Sequence, residues 1–167
     1  GIGFLYIRKG VEIAPYADGG AQESSRRAGT ENIASIVGMA TALKENYDAI
    51  DDQCINICAL EHYLLSSLSN EHISYFRNGG ANTLPGLVSL SFAGADGEAI
   101  LHRMDLAGVC ISTGSACNSR NTEVSHVLKA INLDENLAKG TIRISLGKNN
   151  TMADIDAIVT ALIRIVQ

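Results

Sequence analysis

From about residue 50 onward the sequence predicts an α/β layer domain with a small, partly antiparallel sheet, preceded by a piece of a second domain. Three observations carry this. Val88, Leu90 and Phe92 alternate with Ser89 and Ser91, and Ile142, Ile144 and Leu146 alternate with Arg143 and Ser145. A period of two marks a half-buried strand. Ile155, Ile158, Val159, Leu162, Ile163 and Val166 form one helical stripe behind Thr151, a residue type suited to capping. The order of patterns from residue 50 is helix, strand, strand, helix, strand, helix, strand, helix, which two packed layers accommodate.

Gly1 to Arg8 is almost continuously apolar, as in a strand buried on both faces, and Lys9-Gly10 ends it. Residues 14–30 read as a loop rich in Gly, Ser and Arg. Ile33, Ile36, Val37, Ala40, Leu43 and Tyr47 recur at helical spacing from Glu31 to Tyr47, and a second helical pattern runs from about Asp52 to Ser69. The acidic break Asp48 to Asp52 either marks a domain boundary near residue 50, giving units 1–50 and 51–167, or joins two nearly continuous helices. Ile73 to Phe76 reads as a strand and Asn78-Gly79-Gly80 as a turn. Gly97 to Leu106 reads as a helix, Val109 to Ser112 as a short strand, and Glu123 to Ile131 as a helix. Gly1 falls inside a strand pattern with no initiator Met, so the sequence reads as a fragment or a processed product.

Composition excludes several classes. At 167 residues, 46% hydrophobic and mean hydropathy +0.11, the chain is that of a globular protein. A net charge of −5 gives no field for nucleic acid or an anionic membrane. No apolar run approaches the roughly 20 residues of a membrane span, and no secretory signal is visible, so a cytoplasmic location is expected. Cys54 and Cys58, i and i+4 on a helix, read as core-facing thiols and not as metal ligands. Cys110 reads as a strand residue, and disulfides and metal sites are not expected.

Three residues stand out chemically. Arg143 lies between two core-facing isoleucines and therefore faces away from the core. There it either pairs with a surface acid or grips a carboxylate through two parallel hydrogen bonds. Thr30 precedes a helix, with Arg27 nearby; it is either an N-cap or a phosphate contact. Cys117 sits in a loop of small residues, Ser112-Thr113-Gly114-Ser115-Ala116-Cys117-Asn118-Ser119. It is either an incidental thiol or a mobile nucleophile, with Arg120 placed to favour its thiolate.

Separated segments, in order, resemble the C-terminal part of the cysteine desulfurases, pyridoxal-phosphate (PLP) enzymes of the class V aminotransferase group. Gly1-Ile2-Gly3-Phe4-Leu5-Tyr6 resembles the strand after the family's PLP-lysine loop. Gly19 to Asn32 resembles its G-G-x-Q-E-x-x-x-R-x-G-T-x-N motif. Asn82-Thr83-Leu84-Pro85-Gly86 with the following strand, then Gly114-Ser115-Ala116-Cys117, then Ile142-Arg143-Ile144-Ser145-Leu146-Gly147, complete the resemblance.

The resemblance implies the small C-terminal domain of a PLP fold-type I enzyme, a small mixed sheet with helices, plus the last strand, loop and helix of the large domain. It implies conversion of L-cysteine to L-alanine, with sulfur left as a persulfide on Cys117. It assigns the substrate carboxylate to Arg143, a place near the substrate to Asn82, and a contact with the PLP phosphate of the other subunit of a homodimer to Thr30. The short G-S-A-C loop resembles the branch that supplies sulfur-acceptor proteins of iron–sulfur assembly and tRNA thiolation. The family's Schiff-base lysine is expected just before Gly1. Lys9, Lys44, Lys129, Lys139 and Lys148 do not match its position, so this chain alone is expected to be inactive. A non-enzymatic sulfur carrier and another class V enzyme, such as a selenocysteine lyase, are the alternatives.

Overall fold

The computed structural model describes residues 1–80, 82–113 and 124–166. They form two compact units, Gly1–Ile50 and Asp51–Gln167. The first unit holds α1 (Gln22–Ser25) and α2 (Ile33–Asp48). α1 is one left-handed turn: Glu23, Ser24 and Ser25 have φ of 52°, 57° and 62°. Each L-residue held this way costs about 1–2 kcal/mol. The loop around it closes on itself, Tyr16 N–H donating to Arg26 O (2.8 Å) and Ala28 N–H to Ala17 O (3.1 Å). Asn32 caps α2 by accepting from Ser35 N–H at 3.2 Å.

Residues 1–8 form no regular strand, which corrects the sequence expectation. A strand needs a hydrogen-bonding neighbour, and no described segment of this unit supplies one. Phe4, Leu5 and Tyr6 are accordingly exposed, as are Ile33, Val37, Leu43 and Tyr47 on α2. The helical period of α2 was legible; its burial is not realised within this unit.

The second unit holds the layered domain. Its sheet has the order β1-β2-β4-β3, with β1 Phe76–Arg77, β2 Leu87–Ser91, β3 Ser112–Thr113 and β4 Thr141–Ser145. Every described pairing is antiparallel, so the sheet is antiparallel and not mixed as expected. β2 and β4 pair along their full lengths, with Val88 opposite Ile144 and Leu90 opposite Ile142. These four side chains are buried against α3 (Ile50–Asn70), α4 (Gly97–Leu106) and α7 (Met152–Val166). Leu60, Leu64 and Leu68 come from α3, Ile100 and Met104 from α4, and Ile155, Val159 and Leu162 from α7. Each such side chain contributes about 1.5–3 kcal/mol on burial.

The helix starts follow from short-range chemistry. Asp96 accepts from Glu98 N–H at 2.9 Å and opens α4. Thr151 and Asp154 cap α7 reciprocally: Thr151 N–H donates to Asp154 Oδ2 (2.7 Å), and Asp154 N–H to Thr151 Oγ1 (3.4 Å). The backbone hydrogen bond from Thr151, then its hydroxyl, holds the Asp154 carboxyl below its ordinary pKa. Tyr63 O–H on α3 donates to Asp156 Oδ1 on α7 (2.7 Å); that hydrogen bond, then the charge of Asp156, raises the Tyr63 pKa. α5 (His126–Ala130) begins at Ser125, and α6 (Glu135–Lys139) begins at Asp134, which accepts from Asn136 N–H.

Two further expectations are corrected. Cys54 and Cys58 are exposed. The buried stripe of α3 starts with half-buried Ile57 and continues through Leu60, Leu64 and Leu68, so Cys54 lies one turn too early and Cys58 on its flank. Cys110 is exposed and precedes β3, which pairs only at Ser112 and Thr113. Val109 and Ile111 pack on the core from either side of it.

Candidate functional site

Arg143 stands at the middle of β4, exposed between buried Ile142 and Ile144. Alternation on the strand puts it on the sheet face turned away from α3, α4 and α7. No acid pairs with it among the described residues, where the ion pairs are Lys44–Asp48, Arg77–Glu61 and Lys139–Glu135. Three other guanidinium groups are committed: Arg77 to Glu61 and Thr83, Arg103 to Arg164 O and Ile165 O, and Arg27 to Gly29 O and Thr30 O; those of Arg8, Arg26 and Arg164 make no such bond among the described residues. Arg143 makes no such bond among the described residues, so its planar fork of donors is available to an anion.

Its cross-strand neighbours are polar. Ser89 on β2 and Ser112 on β3 are both directly opposite Arg143. Beyond Ser89, Asn78 donates its backbone N–H to Ser89 O (2.9 Å) and its side-chain amide to Ser89 Oγ (3.1 Å) and Ser91 Oγ (2.8 Å). Asn78 is buried, and its Oδ1 has no hydrogen-bond partner among the described residues. Sequence reading took Asn78 only as a turn residue; an Asn-Gly-Gly signal does not reveal that the side chain is buried.

Asn82 is exposed in the loop joining β1 to β2. That loop is tied to α3 by Glu61, which the sequence reading missed. Glu61 is buried, pairs with Arg77, and accepts Gly86 N–H through Oε2 at 2.8 Å; Arg77 also donates to Thr83 Oγ1. An acid at an inward position of the α3 stripe was the available signal.

Thr30 lies in the first unit, exposed, two residues before the Asn32 cap. Asn32, and not Thr30, is the N-cap of α2, which leaves the Thr30 hydroxyl without a partner among the described residues. Cys117 and Arg120 lie outside the described residues. The chain enters that segment from β3, where Ser112 is opposite Arg143, and Cys117 follows Thr113 by four positions in the sequence. No group of three His, Cys, Asp or Glu side chains among the described residues is arranged to hold a metal.

Comparison with known proteins gives this arrangement its family. Residues 1–158 match the family model of the class-V aminotransferases, and the chain belongs to that family. It is 42% identical over 168 residues to cysteine desulfurase IscS of Dictyoglomus turgidum, a match covering 100% of this chain and 43% of that protein. It is 38% identical over 167 residues to cysteine desulfurase IscS of Methanosarcina thermophila, covering 100% of this chain and 41% of that one. The chain thus spans less than half the length of these relatives. Among solved structures, a NifS-like protein from Rickettsia africae superposes with a TM-score of 0.82 at 33% identity, covering 93% of this chain and 40% of that one. A second NifS-like protein gives 0.83 at 32% identity over 96% of this chain and 40% of its own.

Proposed function

We propose that this chain is the C-terminal part of a cytoplasmic, homodimeric cysteine desulfurase that converts L-cysteine to L-alanine and leaves the sulfur on Cys117. Residues 1–50 are then the end of the large PLP-binding domain, and residues 51–167 the small domain. The apolar side chains exposed in the first unit support this, since a larger domain would cover them. The single observation that carries the reading is Arg143: a guanidinium with no protein partner among the described residues, on the polar face of a central strand.

The residues fit part of the cofactor's needs. The Thr30 hydroxyl is open to a phosphate, and Arg143 is open to the substrate's α-carboxylate; the lysine that would carry PLP matches no lysine of this chain. When bound, PLP supplies an electron sink for the substrate's breaking bonds. Arg143 fixes the substrate by its carboxylate and so decides which bond faces that sink. Asn82 contributes from the loop before β2. The Cys117 thiolate attacks the substrate's sulfur; the new S–S bond forms as the substrate's C–S bond breaks, and the persulfide remains on Cys117. A thiol–persulfide exchange then passes the sulfur to an acceptor protein of iron–sulfur assembly or tRNA thiolation.

The test is steady-state alanine formation by the full-length protein that carries this chain. Arg143→Ala raises the KM for L-cysteine by about one to two orders of magnitude, the loss of a charge-assisted pair. An unchanged KM overturns the assignment. The 167-residue chain alone, supplied with PLP, forms no alanine.

A further inference from the structure

The sheet face opposite α3, α4 and α7 carries one row of polar side chains across β2, β4 and β3, extended past the end of β1 by Asn78: Asn78, Ser89, Arg143 and Ser112. Directly opposed residues share a face with Cβ atoms about 4.5–5.5 Å apart. Behind this row, four contacts form a chain. Thr141 Oγ1 donates to Leu137 O (3.0 Å), Ser91 Oγ meets Thr141 Oγ1 (2.7 Å), and the Asn78 amide meets Ser91 Oγ (2.8 Å) and Ser89 Oγ (3.1 Å).

The hydrogens available fix the direction of this chain. With the Asn78 NH2 turned to the serines, Thr141 donates to Leu137, Ser91 donates to Thr141, and the two amide hydrogens go to Ser91 and Ser89. All four contacts then hold a hydrogen. With the amide turned over, three hydroxyl hydrogens must serve four contacts, and one oxygen pair is left without a proton. The first arrangement is therefore favoured by one buried hydrogen bond. In it, Ser89 Oγ is an acceptor towards the interior, and its own O–H has no acceptor among the described residues. Ser89 is half-buried and directly opposite the uncommitted Arg143.

A carboxylate held bidentately by a guanidinium uses one lone-pair direction on each oxygen and keeps others open. We propose that Ser89 donates a further hydrogen bond to the carboxylate held by Arg143, and that Asn78 is the positioning residue that points the Ser89 hydrogen outward. The inference rests on the carboxylate-clamp reading of Arg143. Arg143 and Ser89 then both present donors to the bound group, which favours an α-amino acid carboxylate, charged and rich in lone pairs, over the corresponding neutral amide.

The test is an NMR titration of the ¹⁵N-labelled full-length protein that carries this chain with L-alanine, the product of the proposed reaction, following the amides of residues 89 and 143 and the Arg143 Nε–H. The wild-type protein shows saturable shifts, and L-alaninamide binds more weakly. Ser89→Ala weakens binding about tenfold, the loss of one hydrogen bond to a charged group. Ser89→Thr, which keeps the hydroxyl, stays within about twofold of wild type on the same grounds. Asn78→Asp offers only acceptors to Ser89, draws its hydrogen inward and weakens binding; the Asn78→Asp, Ser89→Ala double variant is then no weaker than Asn78→Asp alone, whereas a direct effect of the new charge would add to the loss of Ser89. Where Asn78→Asp loses its fold, the Ser89 pair decides. Unchanged affinity in Ser89→Ala, with binding lost in Arg143→Ala, overturns the Ser89 role and leaves the clamp standing. Unchanged affinity in Arg143→Ala, or no saturable shift in the wild-type protein, overturns the clamp reading itself.

Discussion

Replacing Glu61 tests how the loop that carries Asn82 is held. Its carboxylate accepts Gly86 N–H at 2.8 Å and pairs with Arg77. Gly86 has φ of +78°, and its carbonyl accepts Leu146 N–H at 2.8 Å, so this residue is tied to α3 on one side and to the end of β4 on the other. Glu61→Ala leaves the buried Gly86 N–H without an acceptor, at about 1–3 kcal/mol. Arg77 keeps 36% of its side chain exposed and recovers solvent, so its share is about 1 kcal/mol or less. The sum is about 3 kcal/mol, or a fall of about 9 °C in Tm at roughly 3 °C per kcal/mol for a chain of this size. Glu61→Gln keeps an acceptor for Gly86 and loses only the charge, so its Tm falls by about 3 °C. Thermal unfolding followed by far-UV circular dichroism reads both. A Glu61→Ala variant within about 0.5 kcal/mol of wild type would refute the reasoning. A Gln variant as damaged as the Ala variant would show that the charge pair, and not the buried N–H, holds the loop.

Other expectations follow from single contacts. A Cβ at Gly97 would lie 2.8 Å from Thr141 O and 3.1 Å from Lys139 O, so Gly97→Ala pushes α4 off β4 and costs about 1–3 kcal/mol in urea denaturation. Leu64→Ala removes a fully buried side chain of α3 and costs about 2–5 kcal/mol by the same measurement. Tyr63 ionises later than an ordinary tyrosine, because its hydrogen bond to Asp156, and then that residue's charge, favour the neutral form. Its contribution to stability is complete below the ordinary tyrosine pKa and is lost as pH rises through the raised one; alkaline denaturation of Tyr63→Phe shows a flatter slope there. Asp154 runs the other way. Its lowered pKa, caused by the backbone hydrogen bond from Thr151 and then the hydroxyl, makes the α7 cap complete above the ordinary carboxylate pKa, and the cap is lost as pH falls through the lowered one. An NMR titration of the Asp154 carboxyl checks it, and an ordinary midpoint would contradict it.

The clearest elements in the sequence were those whose partners lie in the same unit. β2, β4 and α7 bury the side chains that their periods mark, and the alternation around Arg143 placed it outward correctly. Residues 1–8 and α2 carry equally clear apolar patterns, yet nothing in their unit covers them, so period alone could not give burial or pairing. α6 was missed because five residues are too few to show a period, although Asp134 two residues before Asn136 is a capping signal. Glu61 and Asn78 were missed because an acid on a helix and an asparagine before two glycines ordinarily face water. Only the packed structure shows the hydrogen bonds that keep them inside. Of the chemistry-bearing residues, Arg143 could be oriented from its neighbours alone. Thr30 and Asn82 rested on the family resemblance, as did the role of Cys117.

The central claim is that Cys117 receives the sulfur, and peptide mass analysis of the full-length protein after one turnover of L-cysteine tests it most directly. Cys54, Cys58 and Cys110 are exposed thiols in the same chain and serve as internal controls. The account predicts one added sulfur atom on the peptide containing Cys117, sensitive to reductant and absent in Cys117→Ala. Added sulfur on Cys54, Cys58 or Cys110 with Cys117 unmodified, or alanine formed at the wild-type rate by Cys117→Ala, would contradict it.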